Sequence, residues 1–456
     1  MTAGPGAGVG SELVAARVPL RTIAGQWGRI GCIGFGGPPA HIALLRKLCV
    51  ERRGWLAAEE FEDGIAAANL LPGPASTQLA IFCAWRLAGP LGGIVGGVCF
   101  ILPGLVIILA LAALFLAARP PLWIAGAAAG AGAAVPAVAA AAAMGLAPAS
   151  WRRAAPSSPG AASGGTGPTR SPLNPPRVSW SRLIWRSRPH LTQSRPAGRG
   201  RPRLTWPHVR WLAYLVVGGV VGALAGQFLV LVLAACGLIE MSLRTARAGS
   251  SRYVKKGDSG RPGFTGAMLP LALAASAGAG GLVALAWVAL KVGALSYGGG
   301  FVIIPLMQHD AVHTYHWMTG AQFLSAVALG QVTPGPVVQT VAVVGFAAAG
   351  VGGGLLAALI AFAPSFAFVL AGAPRFAMVR QNAPVQAFLT GAGPAAIGAI
   401  AGATIPLALD LIHLRQVAVL GLAAVWLLGL RRSVVVAIVG AAGLGIIAVL
   451  AGAPLT

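Results

Sequence analysis

The chain has little charge and almost no acid. Of its 456 residues, 9% are Asp, Glu, Lys or Arg, and only 10 are acidic. A soluble domain carries about 25% charged residues, so this chain lacks the polar surface that water requires. Its five cysteines, Cys32, Cys49, Cys83, Cys99 and Cys236, are scattered and form no CxxC pair. That pattern supports neither a disulfide scaffold nor a zinc site. Residues 1–17 are Gly/Ala-rich, contain Glu12 and have no clear apolar core, so no cleavable signal peptide is read there. An enzyme acting on a lipid-linked substrate needs acids, histidines or a nucleophile gathered at one membrane face, and no such cluster can be assembled. No cofactor and no metal are implied.

What is present is apolar. Hydrophobic residues make up 57% of the chain, and the mean hydropathy is +0.79. Several runs from Val98 onward reach the roughly 20 residues that cross a bilayer as helix. They are continuous, Ala/Leu/Gly-rich and without a period of two, which favours helices over a barrel. The 65 Gly and 33 Pro suit membrane helices that pack closely or break. The fold class is therefore an all-α polytopic membrane protein with about 10–13 transmembrane segments.

The net charge of +23 suggests nucleic acid until its distribution is considered. From Trp151 to Arg210 there are 12 arginines and no acid. A basic stretch between apolar runs reads as a cytoplasmic loop under the positive-inside rule. Nucleic acid is not an expected partner, and a headgroup contact by this loop is the minor alternative. The chain divides into a flexible arm (1–21), a first repeat (22–147) and a Pro/Gly/Ser/Arg-rich linker (148–207) whose composition predicts disorder. An apolar membrane segment (208–243), a basic loop (244–267) and a second repeat (268–456) follow. The apolar segment is either one long tilted helix or two short ones meeting near Gln227.

The two halves are related at a shift of 262 residues. From Gly31 to Ala80, 13 of 50 positions are identical to their partners without a gap. Trp55 falls on Trp317, Phe61 on Phe323, and Pro72-Gly73-Pro74 on Pro334-Gly335-Pro336. Gly36 and Gly37 fall on Gly298 and Gly299. Repeats of this kind build transporters, with the ligand between them where helices are interrupted.

The interruptions suggest a site. Proline breaks a helix, and glycine permits positive φ and close approach. N–H groups freed inside an apolar segment need partners that lipid does not offer, and an oxyanion at a helix N-terminus is one. Donors flank each break: Asn69, Ser76, Thr77 and Gln78 in the first half; Gln331, Thr333, Gln339 and Thr340 in the second. The glycines of Gly36-Gly37-Pro38 and Gly298-Gly299 resemble a small anion nest, without the Lys-Ser/Thr of a nucleotide loop. His41 follows as a structural hydrogen-bonder or a proton-sensitive donor. Arg29 and Lys291 are equivalent cations beside the glycine elements. They either attract the anion or snorkel to headgroups.

These motifs carry a family likeness. Gly34-Phe35-Gly36-Gly37-Pro38 with His41-Ile42-Ala43, then Leu71-Pro72-Gly73-Pro74 with Gln78-Leu79-Ala80, resemble the first copy of the motifs of chromate ion transporters. Tyr297-Gly298-Gly299-Gly300 and Gln331-Val332-Thr333-Pro334-Gly335-Pro336-Val337 resemble the second. The likeness covers the chain except the termini and the 148–207 insert, which departs from the compact pattern. It implies a multi-pass protein of the inner (plasma) membrane that exports chromate by alternating access and confers chromate resistance. It also implies two homologous domains, opposed in topology in some members, with functional residues in the glycine and Pro-Gly-Pro motifs. Sulfate or a related oxyanion is the alternative cargo, and a non-transporting scaffold or sensor the alternative role. Membrane lipids, a proton or counter-anion, and a second copy as homodimer partner are the associations this reading admits.

Overall fold

The computed structural model describes residues 18–69, 71, 73–117, 120–154, 206–224, 228–251, 281–296, 300–372 and 382–452. The arm before residue 18, most of the Arg-rich linker and most of the basic loop lie outside them. Every regular element among the described residues is a helix. The first half comprises α1 (Leu20–Ile33), α2 (Pro38–Arg46), α3 (Ala58–Ala68), α4 (Ala75–Phe115), α5 (Leu122–Ala133), α6 (Val135–Ala154), α7 (Trp206–Leu224) and α8 (Leu229–Ser251). The second comprises α9 (Gly281–Leu295), α10 (Ile303–Gln308), α11 (Gly320–Val332), α12 (Thr340–Gly372), α13 (Ala383–Leu409), α14 (Leu414–Ala424) and α15 (Val434–Leu450). Among the described residues, six helical stretches are long and apolar enough to cross a membrane, and four shorter apolar helices accompany them. Leu102, Val106, Leu355 and Leu359 are each about half exposed or more, which suits contact with lipid tails rather than water.

The repeat read in the sequence is a structural repeat. Wide helical turns at Lys47–Arg52 and His309–Thr314 end α2 and α10 at the same register. The Trp55 N–H donates to the Cys49 carbonyl and the Trp317 N–H to the Ala311 carbonyl, again 262 apart. Phe61 and Phe323 are both fully buried. Beyond Ala80 the offset becomes 261. Backbone breaks fall at Ala88-Gly89 and Ala349-Gly350, and Pro103 matches Pro364. The segment between the Pro-Gly-Pro and the break is one residue longer in the first half.

Those breaks turn α4 and α12 into hairpins. Gly89 has φ +69 and Gly350 φ +62. A Cβ placed on Gly92 would lie 2.5 Å from the Ala84 carbonyl oxygen, and one on Gly96 would strike Ala84 Cβ. In a straight helix residues twelve apart are about 18 Å apart, so the chain folds back. Each Pro-Gly-Pro therefore opens a short leg that runs to the turn, followed by a longer leg that returns. Trp27 Nε1 ties α1 to the short leg by donating to the Ala80 carbonyl (2.8 Å).

The halves also interleave. Helix α5 packs on α11, α14 and α15 of the second half, while α13 packs on α6, α7 and α8 of the first. Glycines make both contacts close. A Cβ on Gly402 would fall on the Gly219 carbonyl oxygen, and one on Gly445 on that of Gly126. Small residues are the usual means of bringing membrane helices together. Gly402→Val is therefore expected to destabilise by at least the roughly 1–3 kcal/mol of an overpacked core. Thermal melting in detergent checks this against Gly421→Val, whose Cβ position meets nothing within 4 Å.

The Arg-rich insert falls at one junction of the repeat. In the second half α13 passes to α14 through residues 410–413, whereas the matching connection of the first half runs from Ala154 to Trp206. The same junction is closed by four residues in one repeat and carries the insert in the other. The apolar run at 208–243 is two helices, α7 and α8, on either side of residues 225–227.

Candidate functional site

The two Pro-Gly-Pro elements meet the opposite halves by reciprocal hydrogen bonds. The Gly73 N–H donates to the Ser296 carbonyl (3.0 Å), and the Gly335 N–H to the Gly34 carbonyl (3.1 Å). Gly73 and Gly335 are equivalent, as are Gly34 and Ser296, so the contact is isologous, like that across a twofold axis. The backbone chemistry dictates the shape. Gly73 (φ +125) and Gly335 (φ +112) occupy a region that side chains disfavour. The following prolines, Pro74 and Pro336, are extended and start the next helical segment without a side-chain cap.

Around the first break lie buried hydroxyls. Ser76 and Thr77, in the first turn after Pro74, are at most 1% exposed. Ser296 and Ser365, from the second half, are fully buried. A Cβ on Gly73 would stand 2.9 Å from Ser365 Oγ. None of these four hydroxyls has a hydrogen-bond partner, and unsatisfied buried polar groups are rare enough to require an explanation. Gln78 is buried beside Gly73.

The second break is filled. Gln339 Nε2 donates to the Ile101 carbonyl (2.8 Å), and its Oε1 lies 2.6 Å from where a Gly104 Cβ would be. Thr340 and Thr333 donate to the carbonyls of Val337 and Leu329, each at 2.8 Å. His41 Nε2 is 2.8 Å from the Gly34 carbonyl oxygen. The atoms left over here are Gln331 Nε2, Gln339 Oε1 and His41 Nδ1. Gly36 and Gly37 have positive φ, and Gly37 precedes Pro38 at the start of α2. Pro72, Gly298 and Gly299 lie outside the described residues.

The two equivalent cations are placed differently. Arg29 is exposed on α1, whereas Lys291 is partly buried, paired with Asp310 and 5.8 Å from the Trp287 ring centre. A third cation escaped the sequence reading. Helix α6 continues to Ala154, past the start of the composition-defined linker, and carries Arg153. Arg153 and Asn69 line a pocket of about 160 Å³ whose other walls include Val302, Gly393 and Ile397 of the second half. The signal was Trp151-Arg152-Arg153 directly after an apolar helix, the pattern of a membrane-helix end. The larger 620 Å³ groove between the long legs of α4 and α12 is lined by residues such as Ile101, Leu105, Phe362 and Phe366 and offers an anion nothing.

The chain matches the chromate transporter family model over residues 21–241 and 283–446. It is 29% identical to the chromate transport protein of Cupriavidus metallidurans, over 88% of this chain and 85% of that protein. Identity to the probable chromate transport protein of Synechococcus elongatus is 27%, over 94% and 95%. Identity to the chromate transport protein of Pseudomonas aeruginosa is 26%, over 83% and 79%. No solved structure matches. With both halves matched and the Pro-Gly-Pro breaks of both inside the matched ranges, the chain belongs to the chromate transporter family.

Proposed function

We propose that this protein exports chromate across the plasma membrane by alternating access, with the anion held between its halves at the Pro-Gly-Pro breaks. The observation that carries the reading is the reciprocal contact of the two breaks, beside which buried hydroxyls stand without partners. Backbone that leaves the helix inside a transporter is expected where it lines a ligand site. Hinging of one half against the other at these contacts would expose that site to each side in turn. Arg153 serves as the entrance cation, drawing a dianion toward Asn69. An inside-negative potential favours export by about 2.3 kcal/mol per charge per 100 mV.

Everted vesicles test this directly, since export appears as accumulation in the lumen. Labelled chromate is expected to enter wild-type vesicles, faster when the lumen is made positive, with sulfate competing and phosphate as comparison. Arg153→Ala should raise KM several-fold and leave the maximal rate nearly unchanged. Vesicles that accumulate no chromate above empty controls would overturn the transport reading. Faster uptake of sulfate than of chromate would reassign the cargo. Collapse of the proton gradient at fixed potential, or preloading with sulfate, distinguishes proton coupling from counter-anion exchange.

A further inference from the structure

We infer that the oxyanion binds at only one of the two breaks, the one at Gly73, using the buried, partnerless hydroxyls of Ser76 and Thr77 from the first half and of Ser296 and Ser365 from the second. This rests on the transport reading above and narrows it to one site, adding Ser296 and Ser365 to the residues that flank the breaks.

The argument is the difference between two places that the repeat makes equivalent. Ser296 corresponds to Gly34, Ser365 to Gly104, Thr77 to Gln339 and Ser76 to Val338. At the Gly335 break the first two positions are glycines, and neighbours close on both. A Cβ on Gly104 would run into the Pro334 carbonyl oxygen, and one on Gly34 would lie 2.7 Å from His41 Nε2. Gln339 fills the remaining space and bonds to the Ile101 carbonyl. That break is a packed joint whose leftover atoms are Gln331 Nε2, Gln339 Oε1 and His41 Nδ1, with no free hydroxyl among them. At the Gly73 break the same positions carry four hydroxyls, all buried and all without partners.

Four hydroxyls suit a tetrahedral oxyanion. Each donates one hydrogen bond, and together they replace hydration that the anion loses on entering an apolar interior. The helix that begins after Pro74 adds its N-terminal dipole end, with no side chain capping it. None of the four hydroxyls is charged, so release does not require breaking a buried ion pair. Ser76 and Thr77 belong to the first half, Ser296 and Ser365 to the second. Separation of the halves splits the donor set, which is what release to the other side of the membrane requires. The Gly335 joint, packed and filled by Gln339, is the fulcrum.

Proteoliposomes of the full chain test this by KM and maximal rate for labelled chromate, together with equilibrium binding of labelled sulfate. Ser365→Ala and Ser296→Gly, the latter installing the residue of the other half, are each expected to raise KM at least tenfold and to weaken sulfate binding in parallel. Ser365→Thr, which keeps the hydroxyl, should restore KM to within a few-fold of wild type. Thr404→Ala is the control, because that hydroxyl is exposed and bonds to the Ala401 carbonyl. If Ser365→Ala does not accumulate, Ser365→Cys replaces it, with excess sulfate expected to slow alkylation of the thiol by a small reagent. Wild-type transport with unchanged KM in both serine variants, or alkylation indifferent to sulfate, overturns the site. Absence of chromate transport by the wild type overturns the functional reading instead.

Discussion

Gly73→Ala is expected to lower chromate transport by about 100-fold, the scale of effect that a misplacement of about 1 Å can have at an active site, while the protein still reaches the membrane. Gly73 has φ +125, where a residue with a Cβ is strained by about 1–3 kcal/mol. The added carbon would press on the Gln78 amide and stand 2.9 Å from Ser365 Oγ. Relief requires the loop to move, and movement breaks the bond from the Gly73 N–H to the Ser296 carbonyl. The strain is small beside the stability of a membrane bundle, so the loss should fall on transport rather than on folding. Vesicle uptake normalised to protein level, with thermal melting in parallel, separates the two. Retention of half the wild-type rate would show that this backbone geometry is not needed. Gly335→Ala meets Gln339 Oε1 at 2.9 Å under the same strain (φ +112). Because it sits at the packed joint, its effect should appear in the maximal rate more than in KM.

The largest stability effect is expected from Glu240→Ala. Glu240 is 2% exposed within α8. Its carboxylate is 3.3 Å from Arg210 Nη1 and 2.7 Å from Arg244 Nε, and it accepts a hydrogen bond from the Tyr214 hydroxyl at 3.2 Å. Arg210, on α7, is itself nearly buried, and its Nε has no other partner. Removing the carboxylate leaves that guanidinium uncompensated, a change that costs about 3–5 kcal/mol in a buried pair. Arg244 is more exposed and adds little, because water screens it. The α7–α8 pair carries most of the contact with α13, so its loosening should spread to the second half. Thermal unfolding in detergent reads the loss. Glu240→Gln, which keeps an acceptor for Tyr214, should fall between wild type and Glu240→Ala. An unchanged melting point in both would mean that the cluster is solvated in the membrane protein.

Much of the fold was legible because membrane proteins advertise it locally. Long apolar runs identify helices, and a Pro-Gly-Pro inside one identifies a break. The gapless shift of 262 residues identifies two related halves, and each of these is read within tens of residues. The division of 208–243 near Gln227 was one of two readings open from composition, and the helices α7 and α8 select it. Arg153 was hidden because Ala147-Pro148 resembles the start of a linker, and packing against α13 and α7 is what carries α6 onward to Ala154.

The sequence by itself determined the class, the repeat and the positions of the breaks, since these follow from hydropathy, from proline's missing donor and from identities at one register. Only the tertiary structure decided what the breaks touch. The bond from Gly73 to Ser296 joins residues of opposite halves, and no periodicity reports a contact of that kind. Nor does the register show that Ser365 reaches Gly73 while its counterpart, Gly104, is covered by Pro334 and Gln339. Two sites that are equivalent in sequence became one packed joint and one break flanked by buried hydroxyls without partners. The reason is that close packing leaves no space for a Cβ at Gly34 or Gly104, so a difference of one carbon decides which neighbours close on each break.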